Sequence, residues 1–320
     1  METAGCAGVV MIPALPDDGQ GAIVTVGTFD GVHHGHRKVL DEIARRAKRT
    51  ERRSVLVTFQ PHPLEIVNPQ AAPALLTTAD ERREILAQSE LDVVIFVEFT
   101  TELSHLAPEQ FIQILVDRLD MRELVIGHDH GFGRGRAGDV DLLRRLGGEL
   151  GFAVDVVDGV TLHGHPVSST LVRRAVAGGD LETAKELLGR PYSMSSVVVR
   201  GAGRGKGIGY PTVNVAVENH RKLLPPDGVY AVHVEWRTGS SGGMMHQGAR
   251  PTFGETERSI EAHVFALNEE LYGERVRLSW VSRLRDVHRF ESPEALKRQL
   301  DKDFAAATVA LTGVGGSTKY

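Results

Sequence analysis

Two different repeating patterns divide this sequence of 320 residues, and the change between them at Arg190-Pro191 limits the folds that it can adopt. Between Ala22 and Gly189, short apolar runs alternate with stretches whose apolar residues recur at helical spacing. Strands that alternate with helices predict a parallel α/β sheet, which binds its ligands at the carboxyl ends of the strands. After residue 191, glycines, prolines and β-branched residues separate short strands, which predicts a compact antiparallel barrel or sandwich.

The predicted elements follow these two patterns. In the first, strands are predicted at 22–26, 54–59, 93–99, 124–127 and 153–157, and helices at 37–48, 78–89, 108–119 and 139–150. In the second, strands are predicted at 195–200, 228–236, 259–267 and 275–283. A last helix is predicted to begin with Ser292 as its N-cap and Pro293 at its first position. The chain is therefore expected to form two domains, 20–189 and 190–310, with flexible ends at 1–19 and 311–320.

Composition and charge narrow the function classes. The formal net charge of −5 argues against a broadly basic surface for nucleic acid. No run reaches the roughly 18 apolar residues of a membrane span, and the start lacks the basic and apolar regions of a secretory signal. The single cysteine, Cys6, excludes an intramolecular disulfide and fits a reducing compartment. The sequence therefore predicts a cytoplasmic protein that binds neither nucleic acid nor membrane.

A ten-residue segment carries the first candidate site. Residues 27–36 read G-T-F-D-G-V-H-H-G-H, directly after a predicted strand and before a predicted helix. The glycines permit a tight turn, and the unpaired N–H groups of a helix start favour a phosphate group. His33 and His36 are three residues apart, so they share a face if the helix has begun. Imidazolium N–H donors there would stabilise negative charge that develops on a phosphorus under attack.

A later segment, Ser168-Ser169-Thr170-Leu171-Val172-Arg173, also suits phosphate. Thr170 is predicted to cap a short helix that runs to Ala177, which would bring two hydroxyls and the N-terminal amides of the helix together. Arg173 supplies a fork-shaped donor that matches a phosphate group.

The ten-residue segment resembles the H-x-G-H signature of the nucleotidyltransferase superfamily, in the form found in the adenylyltransferase half of bacterial bifunctional riboflavin kinase/FAD synthetases. Residues 58–63 (T-F-Q-P-H-P), 127–133 and 168–173 are similar to the same family, in the same order. The resemblance implies a Rossmann-like nucleotidyltransferase domain in which FMN phosphate attacks the α-phosphorus of ATP and pyrophosphate leaves. His33, His36 and Arg173 would carry the growing charge. Nucleotide-binding roles are implied for Gly27, Phe29, Asp30, Gly35, His62, Asp129, Ser168, Ser169 and Thr170.

The loop at 128–133 departs from that family. It reads H-D-H-G-F-G, where the family usually has phenylalanine in place of His130 and a larger residue in place of Gly131. Asp129 matches the polar position of the family, whereas His130 weakens an apolar or stacking contact with the nucleotide or flavin. A His-Asp-His triplet also suggests a metal site, although residues one and two apart rarely converge on one ion without other ligands.

The second candidate site begins at residues 201–209, which read G-A-G-R-G-K-G-I-G and match neither a Walker A loop nor G-x-G-x-x-G. Tyr210-Pro211-Thr212-Val213-Asn214 follows. If this stretch is extended, Thr212 and Asn214 project to the same side. A hydroxyl and a carboxamide oxygen together suit a hard cation such as Mg²⁺, held jointly with ATP phosphates.

This second stretch closely resembles the G-x-G-x-G-R-x-L-G-x-P-T-x-N segment of the riboflavin kinase fold, with lysine where arginine is common. Residues 224–230, 248–253, 259–263 and 271–273 are similar to the same fold in order. The resemblance implies a six-stranded Greek-key-type barrel with a terminal helix. It also implies that Glu261 takes the proton from the ribityl 5′-hydroxyl as that hydroxyl attacks the γ-phosphate. Nucleotide-binding roles are implied for Gly203, Lys206 and Gly209, and Mg²⁺ ligation for Thr212 and Asn214.

The strand around Glu261 separates two faces. Ile260, Ala262 and Val264 lie on one face, which can fill a barrel interior, and Glu261, His263 and Phe265 lie on the other.

Together the two resemblances cover about residues 22–305 and imply one bifunctional enzyme. It would phosphorylate riboflavin to FMN and adenylylate FMN to FAD, with ATP as the second substrate of both reactions. Two alternatives stay open. A divergent paralogue with one active half, or with another nucleotide or flavin analogue, is favoured by the altered loop at 128–131. A non-catalytic flavin-binding regulator is disfavoured, because binding alone does not require Glu261 beside Thr212 and Asn214.

Overall fold

The computed structural model of the protein describes residues 12–128, 140–201, 207, 209–250 and 255–312. Distances between Cα atoms divide the chain into two compact units, with the division between Ser169 and Thr170. The domain boundary predicted after residue 189 lies further along the chain and stays a prediction. Each unit is described by itself below.

A five-stranded parallel sheet forms the centre of the first unit. Its strands lie in the order β3-β2-β1-β4-β5, and every neighbouring pair is parallel. The predicted α/β class is therefore confirmed. The chain moves from β1 towards β2 and β3, then crosses to β4 on the other side, so the ligand crevice of such a sheet lies at the carboxyl ends of β1 and β4. The strands are β1 (Ala22–Val26), β2 (Arg53–Gln60), β3 (Val93–Glu98), β4 (Met121–Gly127) and β5 (Ala153–Val157).

Helices cover both faces of this sheet. All five residues of β1 are buried, and alternate ones enter different apolar clusters: Val24 and Val26 on one face, and Ile23 with Val39 and Ile43 of the first helix on the other. The helices are α1 (His34–Thr50), α2 (Pro63–Val67), α3 (Ala79–Leu86), α4 (Thr101–Ser104), α5 (Pro108–Leu119) and α6 (Val140–Leu150). A short hairpin of β6 (Thr161–Leu162) and β7 (His165–Pro166) follows.

The second unit is built around a closed six-stranded antiparallel barrel, as the resemblance implies. Its strand order is β10-β11-β12-β9-β8-β13. Two helices, α7 (Ser169–Gly178) and α8 (Leu181–Leu188), precede the barrel. The strands are β8 (Ser193–Val199), β9 (Val213–Val215), β10 (Gly228–Trp236), β11 (Gly239–Arg250), β12 (Glu255–Val264) and β13 (Arg275–Arg285).

The strand β11 was not predicted, because its sequence begins G-S-S-G-G and lacks the apolar alternation of a strand. The structure explains these glycines by close packing. A Cβ atom at Gly243 would lie 2.7 Å from the carbonyl oxygen of His263, and one at Gly242 would lie 2.7 Å from a methyl carbon of Leu311. Glycine in a strand interior often marks such a close approach.

The barrel is followed by α9 (Pro293–Thr312), a helix of 20 residues. The predicted cap is confirmed, because the amide of Ala295 donates to the hydroxyl oxygen of Ser292 at 3.1 Å. The helix continues to Thr312, one residue past the predicted start of the flexible end. Within the part of the chain described above, no helix combines the length and the hydropathy that crossing a membrane requires.

Several predicted bounds are shifted by a few residues, and two other local expectations also differ from the structure. The predicted cap at Thr170 is wrong: α7 begins at Ser169, so Thr170 lies inside its first turn, and the helix extends to Gly178. The predicted flexible start at 1–19 includes Ile12, whose side chain is buried in the first unit's larger apolar cluster. That cluster holds the chain before β1 against the sheet.

Candidate active sites

The turn after β1 and the start of α1 form the first candidate site. His33 is the N-cap of α1, and its Nδ1 atom accepts a hydrogen bond from the amide of His36 at 3.3 Å. Because Nδ1 is the acceptor, the neutral ring carries its proton on Nε2. The two imidazole rings stack, with centroids 3.7 Å apart and an interplanar angle of 16°. The structure thus brings together the two histidines that the sequence singled out.

Left-handed backbone conformations shape this turn. Phe29, Gly31 and Val32 have φ angles of 48°, 83° and 41°. For a β-branched residue such as Val32 this conformation is strained, and it persists only where the surrounding structure holds it. Val32 and Phe29 are both buried, in an apolar cluster that includes Leu40 of α1. The ring of Phe29 also lies 4.7 Å from that of His36, so the same packing supports the histidine pair.

The carboxylate of Asp30 fastens the turn to a loop far along the chain. It is 1% exposed and accepts hydrogen bonds from the amides of Leu76 and Thr77 at 3.0 and 2.8 Å. The hydroxyl of Thr77 donates to it at 3.0 Å and accepts from the amide of Gly31, also at 3.0 Å. These contacts give Asp30 a structural role that the sequence did not suggest; its predicted nucleotide contact stays a prediction.

The segment at residues 168–173, called the serine motif below, contacts this turn although it begins only at the end of the first unit's sequence. The hydroxyl of Ser169 donates to the main-chain carbonyl of Asp30 at 2.9 Å. A Cβ atom at Gly35 would lie 3.4 Å from the carbonyl oxygen of Val167, so the chain just before Ser169 also lies against the start of α1. Ser168 is half-buried beside it. The other two predicted residues of the motif, Thr170 and Arg173, lie in α7, in the second unit.

A buried arginine that the sequence analysis missed holds the carboxyl ends of β1 and β2. Arg82 is 5% exposed, and its guanidinium donates to the carbonyls of Thr28 at 2.5 Å and Phe59 at 2.6 Å. The hydroxyl of Thr58 donates to the same Thr28 carbonyl at 3.1 Å. Burial lowers the pKa of Arg82. Nothing in the sequence indicated that Arg82 is buried, because an arginine on a predicted helix is usually exposed.

Other predicted nucleotide-binding residues are placed as follows. The amide of Gly27 donates to the carbonyl of Val57 at 3.0 Å, which ties the start of the turn to β2. His62 is the N-cap of α2, and its Nδ1 accepts from the amide of Leu64 at 3.2 Å. Asp129 lies outside the described residues, as do Gly203 and Lys206 of the barrel unit.

The second candidate site lies where β12 runs between β9 and β11. Glu261 of β12 is the register partner of Asn214 on one side and of His246 on the other. The hydroxyl of Thr212 lies 3.4 Å from Oε2 of Glu261, and that of Ser259 lies 3.5 Å from Oε1. The structure thus brings together the three residues that the sequence assigned to metal binding and proton transfer.

Burial confirms the predicted faces of these strands. Ile260, Ala262 and Val264 are buried, whereas Glu261 and His263 are half-buried. The neighbouring β9 and the residue before it follow the same rule, because Val213 and Val215 are buried while Thr212 and Asn214 are half-buried. The apolar residues therefore fill the barrel, and the oxygen-bearing side chains share its partly exposed face.

The chain before β9 packs closely against this face. A Cβ atom at Gly201 would collide with the side-chain amide of Asn214, with Oδ1 only 2.6 Å away. Gly201 therefore allows a close approach that a larger residue would permit only if the Asn214 side chain moved. Gly209, further along, has a φ angle of 85°, which also favours glycine, and a Cβ there would meet nothing within 4 Å.

Comparisons with known proteins match both halves of the chain. A family model described as FAD synthetase matches residues 15–171, and one described as riboflavin kinase matches residues 188–311. A protein of Pseudomonas fluorescens named bifunctional riboflavin kinase/FMN adenylyltransferase is 38% identical over 296 residues, which are 92% of this chain and 94% of the relative. A protein of the same name from Escherichia coli K12 is 36% identical over 287 residues, 89% of this chain and 91% of the relative.

A solved structure supports the same architecture. It is described as a macrolide-efflux protein from Streptococcus pneumoniae, with a TM-score of 0.80 and 29% sequence identity. The match covers 90% of this chain and 94% of that one.

Proposed function

This chain belongs to the family of bifunctional riboflavin kinases/FMN adenylyltransferases, and from that premise we propose which residues carry its two reactions. It is an enzyme that phosphorylates riboflavin with ATP to FMN and then adenylylates FMN with a second ATP to FAD and pyrophosphate. The kinase reaction belongs to the barrel, and the adenylyl transfer to the half that contains the parallel sheet.

For the kinase reaction we assign proton transfer to Glu261. The observation that carries this assignment is the 3.4 Å separation between its carboxylate and the hydroxyl of Thr212, with Asn214 as its register partner. The carboxylate accepts the proton of the ribityl 5′-hydroxyl as that oxygen attacks the γ-phosphorus of ATP, and ADP leaves. General-base catalysis of this kind contributes about 10² to 10⁴ in rate.

The residues around Glu261 fit a magnesium ion. The side chains offered are a hydroxyl (Thr212), a carboxamide (Asn214) and a carboxylate, and hard cations such as Mg²⁺ prefer oxygen donors of these kinds. We assign Thr212 and Asn214 as its protein ligands, with ATP phosphates completing the site. When bound, the ion neutralises charge on those phosphates. The alternative His-Asp-His metal site falls largely on residues outside the described ranges; within those ranges no cluster of three or more His, Cys, Asp or Glu residues suits a metal.

For adenylyl transfer we assign charge stabilisation to His33 and His36. Their stacked rings sit at the beginning of α1, where amide N–H groups and the helix dipole favour an anion. Donors already in place at the α-phosphorus lower the barrier without reorganisation during the reaction. Ser168, Ser169, Thr170 and Arg173 remain proposed phosphate-binding residues. We also propose a cytosolic location, which the single cysteine supports.

The test is to incubate the purified protein with riboflavin and Mg-ATP and to resolve the flavins by chromatography over time. FMN that appears first and FAD that follows is the expected result. FMN alone, or a dinucleotide without adenine, would instead support a divergent paralogue. Unchanged riboflavin with measurable flavin binding would support a regulator.

A further inference from the structure

His263 lies beside the proposed kinase site, two residues after Glu261 on β12 and on the same half-buried face. Its Nδ1 atom is 2.7 Å from the main-chain carbonyl oxygen of Pro211. A carbonyl oxygen only accepts hydrogen bonds, so Nδ1 must carry the proton in this contact. Pro211 directly precedes Thr212, so the imidazole holds the peptide from which a proposed Mg²⁺ ligand extends.

The position of Pro211 makes this contact important for the local geometry. The ladder between β9 and β12 pairs Val213 with Ala262 and runs onward to Val215, so Pro211 and Thr212 lie beyond its end. Proline also lacks an N–H group with which to extend the ladder. The bond from His263 therefore fastens the chain to β12 where main-chain pairing has stopped.

The imidazole is itself held by its neighbours. The ring of Tyr210 meets it edge-on, with centroids 5.1 Å apart and an interplanar angle of 76°, and that of Phe304 on α9 lies 6.3 Å away. The hydroxyl of Tyr210 donates to the carboxylate of Asp301 on α9 at 2.5 Å. Lys297 lies 3.2 Å from the same carboxylate. Contacts with α9 thus hold the imidazole of His263, which in turn holds Pro211.

We propose that His263 is a positioning residue for the phosphoryl transfer: its Nδ1–H holds Pro211 so that the Thr212 hydroxyl stays beside Glu261. The inference rests on the proposed roles of Glu261 and Thr212. Because Thr212 is assigned to the metal, His263 is expected to affect the use of Mg-ATP. The affinity for riboflavin and the adenylyl transfer should not depend on it.

Two substitutions that differ by one bond test this role. In His263→Asn the side-chain nitrogen stands at the same number of bonds from Cβ as Nδ1, so it can donate to Pro211. In His263→Gln it stands one bond further out. We expect H263N to keep kcat/KM for Mg-ATP in the kinase reaction within about threefold of wild type, and H263Q to lose about tenfold, the size of one hydrogen bond. The KM for riboflavin and the FMN adenylyltransferase rate should not change in either variant.

Two parallel measurements make each outcome decisive. Glu261→Gln is assayed alongside: if it keeps full kinase activity, the proposed role of Glu261 is wrong. If E261Q is inactive but H263Q equals wild type, or H263N falls as far as H263Q, the positioning role is refuted. The chain has two tryptophans, Trp236 and the buried Trp280, both in the barrel, so their emission reports on its folding. The role would also be refuted if the activity lost in H263Q were no larger than the unfolded fraction that a red-shifted emission reports, because His263 would then serve stability alone.

Discussion

The hydroxyl of Ser169 donates to the main-chain carbonyl of Asp30 at 2.9 Å, a contact between residues 139 positions apart in the sequence. It joins the serine motif to the turn that carries the histidine pair. The same Asp30 is fixed through its carboxylate by Leu76 and Thr77. Three separate segments of the first unit thus meet at Asp30, beside the proposed histidine pair.

Replacing His36 by alanine is expected to block FAD formation and to leave FMN formation unchanged. The imidazole is a proposed donor to charge that develops at the α-phosphorus, and loss of one such donor lowers kcat by about 10² to 10³. Separate assays with riboflavin and with FMN as substrates measure the two rates. An equal fall of both rates would show that the two reactions do not use independent sites.

Thr77→Val is expected to destabilise the turn between β1 and α1, from which residue 77 is distant in sequence but which its side chain contacts. The hydroxyl contacts both the Asp30 carboxylate and the Gly31 amide at 3.0 Å, so its removal leaves two buried polar groups without that partner, at about 1 to 3 kcal/mol of unfolding free energy. FMN adenylyltransferase activity should fall with it. Thr77→Ser keeps the hydroxyl and serves as the control. Equal urea midpoints for the two variants would show that the contacts of the Thr77 hydroxyl with Asp30 and Gly31 do not stabilise the protein.

Gly201→Ala is expected to lower the kinase rate selectively. The added methyl group collides with the side-chain amide of Asn214, which must then move from the proposed metal position. Gly148→Ala in α6 is the matched control, because a Cβ there meets nothing within 4 Å. Kinase assays at saturating and limiting Mg²⁺ measure the effect. If G201A kept the Mg²⁺ dependence of wild type, the assignment of Asn214 as a Mg²⁺ ligand would be contradicted.

Glu42 of α1 is expected to contribute to stability in a defined pH range. Hydrogen bonds from Arg45 and Arg46 lower the pKa of Glu42 from its ordinary 4.5 to about 2. Its contribution is therefore present above pH 4.5 and is lost as the pH falls towards 2. Because the pair is partly exposed, we expect about 1 kcal/mol or less. Urea midpoints at pH 6 and pH 3 should differ less in Glu42→Gln than in wild type; an identical acid shift would contradict this.

Several elements could be predicted from local pattern alone. The bounds of β1, α5 and β10 were predicted to the residue, because a short apolar run, a proline at the first helical position and a run of β-branched and aromatic residues that follows a glycine are local signals. The faces of β12 followed from its alternation in the same way. The histidine pair and the Thr212, Asn214 and Glu261 group were also found, since each belongs to a recognisable motif.

The parts that could not be predicted depend on contacts between distant residues. Nothing around Thr77 indicates that it meets Asp30, and Arg82 looks like a residue of an exposed helix face until its carbonyl partners are known. The strand β11 escaped prediction because its glycines serve close packing against β12 and α9. His263 was predicted on the correct face, but its hydrogen bond to Pro211 could not be predicted without knowing how the strands of the barrel pair.

The central claim is that two independent sites carry two consecutive reactions. Mixing two variants, each of which lacks one of the two reactions, tests it most directly. Supplied with riboflavin and Mg-ATP, His36→Ala should accumulate FMN, and Glu261→Gln should leave riboflavin unchanged. An equimolar mixture of the two should form FAD, because FMN released by one variant is the substrate of the other. FAD from either variant alone, or none from the mixture, would contradict the assignment of the two reactions to these residues.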